Sequence, residues 1–356
     1  MTPPHSRAAV LTDGQLRISI FVNVPALLRE MGHDPARVVA AAGLDLALLG
    51  DPENTASFVD LSRLLAVCSE RTQCDHFGLL LGMRSKTTDL GLIGHLALNS
   101  PDAGAALRNL ILHLHLHDRG AVPTLSLRGD LAVLGYTIYQ SGVVRADQVY
   151  DTAMAVIFNI MTSLCGPNWR PTEVLLSRSP PTDAAPYRRF FRAPLRFDAD
   201  ETALAFATTW LEQELPGADA KLRQMLQLQV DSLAANGNGD VVAQLRRVLR
   251  TMLVSGSGSQ EQVARLFSMH RRTLNRRLRE RNTTFHALVE QTRFDIARHY
   301  LEITHLPIVE IASTLDYADA SAFTRAFRRW TGTTPAAWRA ASGSPSPTRT
   351  AGAARA

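Results

Sequence analysis

The chain is poor in cysteine. Its 356 residues hold three, Cys68, Cys74 and Cys165. They are unevenly spaced and form no C-x-x-C pair, so neither a disulfide framework nor a zinc site is legible. Reduced thiols in a cytoplasmic protein are the expectation. No run of about 18 apolar residues occurs, which leaves no candidate membrane-spanning helix. The start, MTPPHSRAAVLTDG, has no apolar run behind a basic patch, so no secretory signal is expected. Catalytic signatures are missing as well: there is no G-x-S-x-G, no phosphate loop and no H-E-x-x-H. The expectation is a protein that is not an enzyme, with no cofactor and no metal.

Lysine is absent between Asp240 and Ala341, where 16 arginines outweigh 9 acidic residues for a net of +7. The whole chain carries +5, so the remainder is −2. A basic C-terminal third beside a mildly acidic remainder suits a polyanionic partner for one part only. The length fits two domains, and 46% apolar residues are enough to give each a core.

The pattern divides accordingly. Residues 1–15 read as a loose tail, 16–215 as an α+β domain, 216–239 as an amphipathic helix and linker, 240–341 as an all-α domain, and 342–356 as a low-complexity tail. In the α+β part, Asp34-Pro35 reads as a helix cap with proline in the first turn, and Ser100-Pro101-Asp102 repeats the signal. Val122–Gln140 alternates around Arg128-Gly129-Asp130, which predicts a hairpin, and Thr172–Arg178 predicts another strand. Val149, Ala153, Val156, Ile157, Ile160, Met161 and Leu164 recur at helical steps. With Met154 and Phe158 included, that helix is apolar most of the way round and must lie between layers. Met154, Ile157, Phe158 and Met161 are candidate walls of a pocket for a small apolar effector, although a solid core would use the same residues. Leu222, Leu226, Val230 and Leu233 form a stripe on a helix over Lys221–Ala234, which packs either on its own domain or on a second copy as a homodimer contact. Ala235-Asn236-Gly237-Asn238-Gly239 marks the boundary.

The all-α part reads as seven helices: Val241–Leu253, Gln260–Phe267, His270–Arg281, Phe285–Ile303, Pro307–Leu315, one capped by Asp319 and ending near Trp330, and one opening at Thr334-Pro335. Two helix–turn–helix units emerge, one turning at Ser268-Met269 and one at Asp316-Tyr317-Ala318, joined by one long helix. Ala264 and Ala312 stand where each pair of helices crosses closely. Leu274 and Leu278, like Phe323 and Phe327, mark the inner face of each second helix. Outward stand Arg272, Asn275, Arg276 and Arg279 in the first unit, and Ser321, Thr324, Arg325 and Arg328 in the second. Arginine can read guanine and asparagine adenine in the major groove, while Arg271, Arg279 and Arg328 suit phosphates. Leu274 and Phe323 lie 49 residues apart. A joining helix of about 19 residues spans roughly 28 Å, near the roughly 34 Å between successive major-groove faces of double-stranded DNA.

The C-terminal part resembles the AraC/XylS family of bacterial regulators. The resemblance is densest over Ile308-Val309-Glu310-Ile311-Ala312, Tyr317, Asp319, Ser321 through Trp330, Gly332 and Thr334 through Arg339. It implies base-facing positions at His270, Arg272, Asn275 and Arg276, and at Ala320, Ser321, Thr324 and Arg325. It also implies RNA polymerase as a partner, with activation the commoner mode in the family. Two turn positions where the family usually has glycine are Ser268 and Asp316 here, and aspartate tolerates a left-handed backbone better than serine. From about Pro25 to Phe197 the chain is similar to the arabinose-binding-like sensor domain of this family, which implies effector sensing and often dimerisation. A ligand-free dimerisation module is the alternative. A DNA-repair methyltransferase of the Ada type would need a Pro-Cys-His-Arg context, and Leu164-Cys165-Gly166-Pro167 does not supply it. His113, His115 and His117 would share a face only on a strand. Their surroundings read as helix, so surface or pocket-edge positions are expected.

Overall fold

The computed structural model describes residues 11–12, 14–140, 142–236, 271–304 and 306–342, together with Val242, Leu245, Arg246, Leu249, Arg250, Leu253 and Gln260. The expected helix Gln260–Phe267 beyond its first residue, its crossing residue Ala264, the turn at Ser268-Met269, His270, linker residues 237–239 and most of both tails lie outside the described residues. The chain divides into two compact units, Met1–Asp240 and Val241–Ala356.

In the first unit, strand β1 (Gln15–Arg17) pairs antiparallel with β2 (Thr55–Ser57). Leu11 is buried and β1 starts at Gln15, both within the stretch read as a tail. Helices α1 (Val24–Glu30) and α2 (Pro35–Ala41) lie between these strands in the chain. Asp34 caps α2 by accepting the Ala36 N–H at 3.0 Å, with Pro35 at the first helical position. Next come α3 (Phe58–Thr72), α4 (Phe77–Gly82), α5 (Leu92–Leu98) and α6 (Ala103–His113). Asp102 caps α6 through the Ala105 N–H at 2.6 Å, which leaves Pro101 outside the helix rather than in its first turn.

The expected hairpin is β3 (Ala121–Arg128) and β4 (Leu131–Ile138). Gly129 opens its two-residue loop with φ +60°, the conformation that hairpin turns require and glycine adopts without strain. There follow α7 (Ala146–Cys165), β5 (Glu173–Leu175), α8 (Ala185–Phe191), β6 (Leu195–Arg196), β7 (Ala203–Ala207) and α9 (Ala220–Asn236). The five-stranded sheet runs β3-β4-β7-β5-β6, with only β5 and β6 parallel. β5 is shorter than the expected strand Thr172–Arg178, because the Ser177 amide bonds the Thr202 hydroxyl at 3.1 Å instead of a neighbouring strand.

Helix α7 organises this unit. Ala132, Leu134, Val174, Leu204 and Phe206 alternate toward its core cluster, while Val133, Leu175, Ala203 and Ala205 form a small cluster on the other sheet face. On its opposite side α4 presses directly on α7. A Cβ on Gly78 would fall 2.1 Å from the Gln148 carbonyl oxygen, and one on Gly82 would fall 2.5 Å from that of Thr152. Side chains bond this contact: the Gly78 N–H donates to Gln148 Oε1 at 2.9 Å, and the Thr152 hydroxyl donates to Gly78 O at 3.0 Å. A buried ion pair fixes the far chain segment. Arg178 donates to Asp151 of α7, which also accepts the Tyr187 hydroxyl of α8 at 2.5 Å. Burial pushes the Asp151 carboxyl up to about 6, against the pull of Arg178.

In the second unit the described helices are α10 (Arg271–Arg279), α11 (Phe285–Ile303), α12 (Ile308–Thr314), α13 (Ala320–Thr331) and α14 (Pro335–Ala341). Thr284, Asp319 and Thr334 cap α11, α13 and α14 through side-chain bonds of 3.1, 2.6 and 3.1 Å. Helix α10 stops before the expected Arg281, and the chain then turns through Asn282 at φ +53°. The helical positions Leu245, Leu249 and Leu253 are buried with Leu274, Leu278, Leu288, Ile296, Ile311, Phe323 and Phe327 in one core.

The α4–α7 contact generates a stability prediction. Gly78→Ala must displace backbone and should cost about 3 kcal/mol, read as a lower denaturation midpoint. Gly50→Ala, where a Cβ meets nothing within 4 Å, should leave the midpoint unchanged. Equal midpoints for the two variants would refute the close-approach argument.

Candidate nucleic-acid interface and apolar pocket

Each unit carries one concentration of chemistry. In the second unit, burial of Leu274 and Leu278 turns Arg271, Arg272, Arg276 and Arg279 of α10 outward. The helix contains five arginines and no acid. Arg276 lies 3.8 Å from Glu280 in an exposed pair that stabilises little and is readily exchanged. Asn275 is half-buried and accepts a bond from the Gln260 side chain at 2.6 Å, so reading a base requires that bond to be given up or shared.

On α13, Phe323, Ala326 and Phe327 are buried. Ser321, Arg325 and Arg328 are exposed, and Ala320 and Thr324 are half-buried on the same helix. The Thr324 hydroxyl donates to Ala320 O at 2.7 Å, which leaves its oxygen as an acceptor. Arg329 is different. It bonds Glu290 of α11 at 2.7 Å, and that carboxylate also accepts the Trp330 indole N–H at 3.2 Å, so Arg329 ties α13 to α11. The turn between α12 and α13 passes through Asp316 at φ +60°, the left-handed conformation expected of a residue standing in for glycine. Arg293 holds it in place, with its guanidinium 3.6 Å from the Asp316 carboxylate and 5.0 Å from the centre of the Tyr317 ring.

In the first unit, an apolar cavity of about 110 Å³ lies between the two core clusters. One wall is α7, through Val149, Thr152, Ala153, Val156, Ile157 and Ile160, a single face at three- and four-residue steps. Phe21, Phe58, Leu61, Leu107, Leu110 and Leu134 contribute other walls. Of the four pocket residues expected from sequence, only Ile157 lines this cavity. Met154, Phe158 and Met161 share the opposite face of α7, where Phe158 packs against Trp169, Phe190 and Phe191 with ring centres 4.7–5.4 Å away. Steps of four and three put them on one side, and Ile157, three residues after Met154 and four before Met161, stands between that side and the cavity face. Phe158 also edges a separate, more open cleft beside Arg170 and Arg189.

The cavity has one polar end, formed by His117, Asp118 and Tyr136. The Asp118 carboxylate accepts the Gly120 N–H at 2.7 Å and the Tyr136 hydroxyl at 2.5 Å. Burial pushes its carboxyl up to about 6 and holds the His117 imidazole down at about 4, hence neutral at physiological pH. Sequence reasoning missed this end. His117 was visible as part of a histidine cluster, but the partnership of Asp118 with a tyrosine 18 residues away depends on the β3–β4 register. The other histidines go elsewhere: His113 ends α6, and His115 turns Nδ1 toward Leu112 O at 3.0 Å.

The stripe on α9 divides. Val230 is fully buried and Leu226 packs on the first unit's core, so these two contact their own domain rather than a second copy. Leu222 and Leu233, at the two ends of the stripe, stay exposed, as do Met225 and Leu228.

Comparison with known proteins agrees with this division. Residues 32–215 match the arabinose-binding domain of AraC transcription regulators, and residues 263–341 match a helix-turn-helix domain. The chain is 29% identical over 324 residues to the ornithine utilization regulator of Pseudomonas aeruginosa, covering 88% of this chain and 93% of that protein. It is 25% identical over 320 residues to the HTH-type transcriptional regulator VirS of Mycobacterium tuberculosis, covering 89% and 94%. It is 24% identical over 265 residues to the HTH-type transcriptional regulator VqsM of Pseudomonas aeruginosa, covering 72% and 81%. With an arabinose-binding N-terminal domain followed by a helix-turn-helix domain, the chain belongs to the AraC family of DNA-binding transcriptional regulators.

Proposed function

We propose that this regulator is an effector-responsive activator that reads its operator with two helix-turn-helix units and recruits or repositions RNA polymerase. The observation that carries the effector reading is the apolar cavity with one polar end in the first unit. Apolar walls with a few convergent polar groups are the usual form of a small-molecule site. In the second unit, α10 and α13 are the reading helices and the 19-residue α11 between them is the spacer. Arg272, Asn275, Arg276, Ser321, Thr324 and Arg325 face bases, together with His270 and Ala320, while Arg271, Arg279 and Arg328 hold phosphates. The exposed Leu222, Met225, Leu228 and Leu233 of α9 form a homodimer contact.

Base reading is tested on operator DNA found by genome-wide mapping of bound sites. Arg276→Ala and Arg325→Ala should each lose about 1–3 kcal/mol of specific binding and relax one base position. Arg329→Ala should leave base preference unchanged. Parental affinity for the operator in both Arg276→Ala and Arg325→Ala at matched salt would sink the assignment.

The effector reading is tested by thermal shift. A ligand at a hundred times its Kd should add about 2.7 kcal/mol of stability and alter operator affinity. Ala153→Phe, which fills the cavity from α7, should abolish the response and keep operator binding. A broad screen without a single stabiliser would make the first unit a scaffold.

The dimer contact is tested by sedimentation. Leu228→Glu should convert dimers to folded monomers. A parent that is monomeric at working concentration would remove the contact.

A further inference from the structure

Resting on the effector reading above, we propose that the cavity takes a small molecule with an apolar body and one hydrogen-bond-donating head, an alcohol, phenol or primary amine rather than a carboxylic acid, seated against Asp118, Tyr136 and His117. The polar end is rich in acceptors. Asp118 receives three bonds, from the Tyr136 hydroxyl and the Gly120 and Ala121 amides, and an ionised carboxylate can accept about four, so one site is spare. His117 is buried and its Nδ1 has no hydrogen-bond partner, an expensive state that a bound head group would relieve.

Charge points the same way. Among the described residues no lysine or arginine lines the cavity. Arg17, the cation that acts on His117, is paired with Glu53 at 2.8 Å and belongs to a neighbouring cleft. A ligand carboxylate would therefore enter beside Asp118 with no counter-charge, and two buried carboxylates in one site repel strongly. A hydroxyl or ammonium meets an unfilled acceptor instead. Burial already strains Asp118 toward its protonated form, and an ammonium would hold it ionised. The volume limits the body. An engineered apolar cavity of about 150 Å³ takes benzene, so a partly open cavity of about 110 Å³ suits a body no larger than about one ring.

The test uses the full chain and four probes of one size: 2-phenylethanol, 2-phenylethylamine, phenylacetate and ethylbenzene. Titration calorimetry and thermal shift should show the alcohol or the amine binding at least about tenfold more tightly than both phenylacetate and ethylbenzene, the difference expected of a hydrogen bond to a charged group. Asp118→Asn should reduce amine binding about tenfold and leave ethylbenzene unchanged. Should that variant not fold, Tyr136→Phe keeps the ring and should narrow the gap between alcohol and ethylbenzene. Phenylacetate binding as tightly as the alcohol and the amine would overturn the head-group assignment and leave effector sensing intact. Selective binding of a donor head without any change in operator affinity would do the reverse. No binding by any of the four would remove both.

Discussion

The first unit depends on the direct contact of α4 with α7. A helix that is apolar on nearly every side cannot face water, so α7 needs partners all round. At Gly78 and Gly82 the backbones approach too closely for any side chain, and Gln148, Thr152 and Asn159 of α7 bond the backbone that glycine exposes. Asn159 alone donates to the carbonyls of Gly82 and Ser85 at 3.2 and 3.0 Å. With α4 drawn in on one side and the sheet and aromatic cluster on another, one face of α7 is left between two separate cores. That face borders the cavity.

Two buried carboxylates show how the same chemistry serves different ends. Burial pushes Asp151 and Asp118 alike up to about 6. Asp151 has Arg178 and Tyr187 against it, and it locks α7 to the segment running from β5 to α8. Removing one partner of such a pair leaves a charge stranded, so the arrangement holds position rather than adding much stability. Asp118 has neutral donors, the Gly120 and Ala121 amides and the Tyr136 hydroxyl, and it borders empty space. A carboxylate with spare lone pairs and no cation makes a place for a donor.

In the second unit a comparable division separates arginines on one helix. Arg329, although exposed, bonds Glu290 of α11, whereas Arg325 and Arg328 are exposed on the same helix without a bond to α11 among those described. The inner stripe of Phe323, Ala326 and Phe327 fixes the rotation of α13, and so decides which arginines face solvent. Asp316 takes the left-handed turn usually given to glycine and uses its carboxylate to meet Arg293, so the departure from the family pattern adds a contact.

Local chemistry was legible in the sequence wherever a residue's role depends on its near neighbours. The caps Asp34, Asp319 and Thr334, the Gly129 turn, the bounds Phe285–Ile303 and the inward phenylalanines of α13 all follow from spacings of a few residues. The family was readable for the same reason, since its signature is a contiguous run from Ile308 to Arg339. Tertiary structure decided what periodicity cannot. An all-round apolar helix gives no sign of which side meets a core and which borders a cavity, so Met154, Phe158 and Met161 could not be told from Ile157. Half of the α9 stripe went to its own domain because Val230 happens to lie over the core of the first unit. The polar end of the cavity exists only because the segment before β3 brings Asp118 against Tyr136 of β4, and a contact between distant positions leaves no periodic trace along the chain.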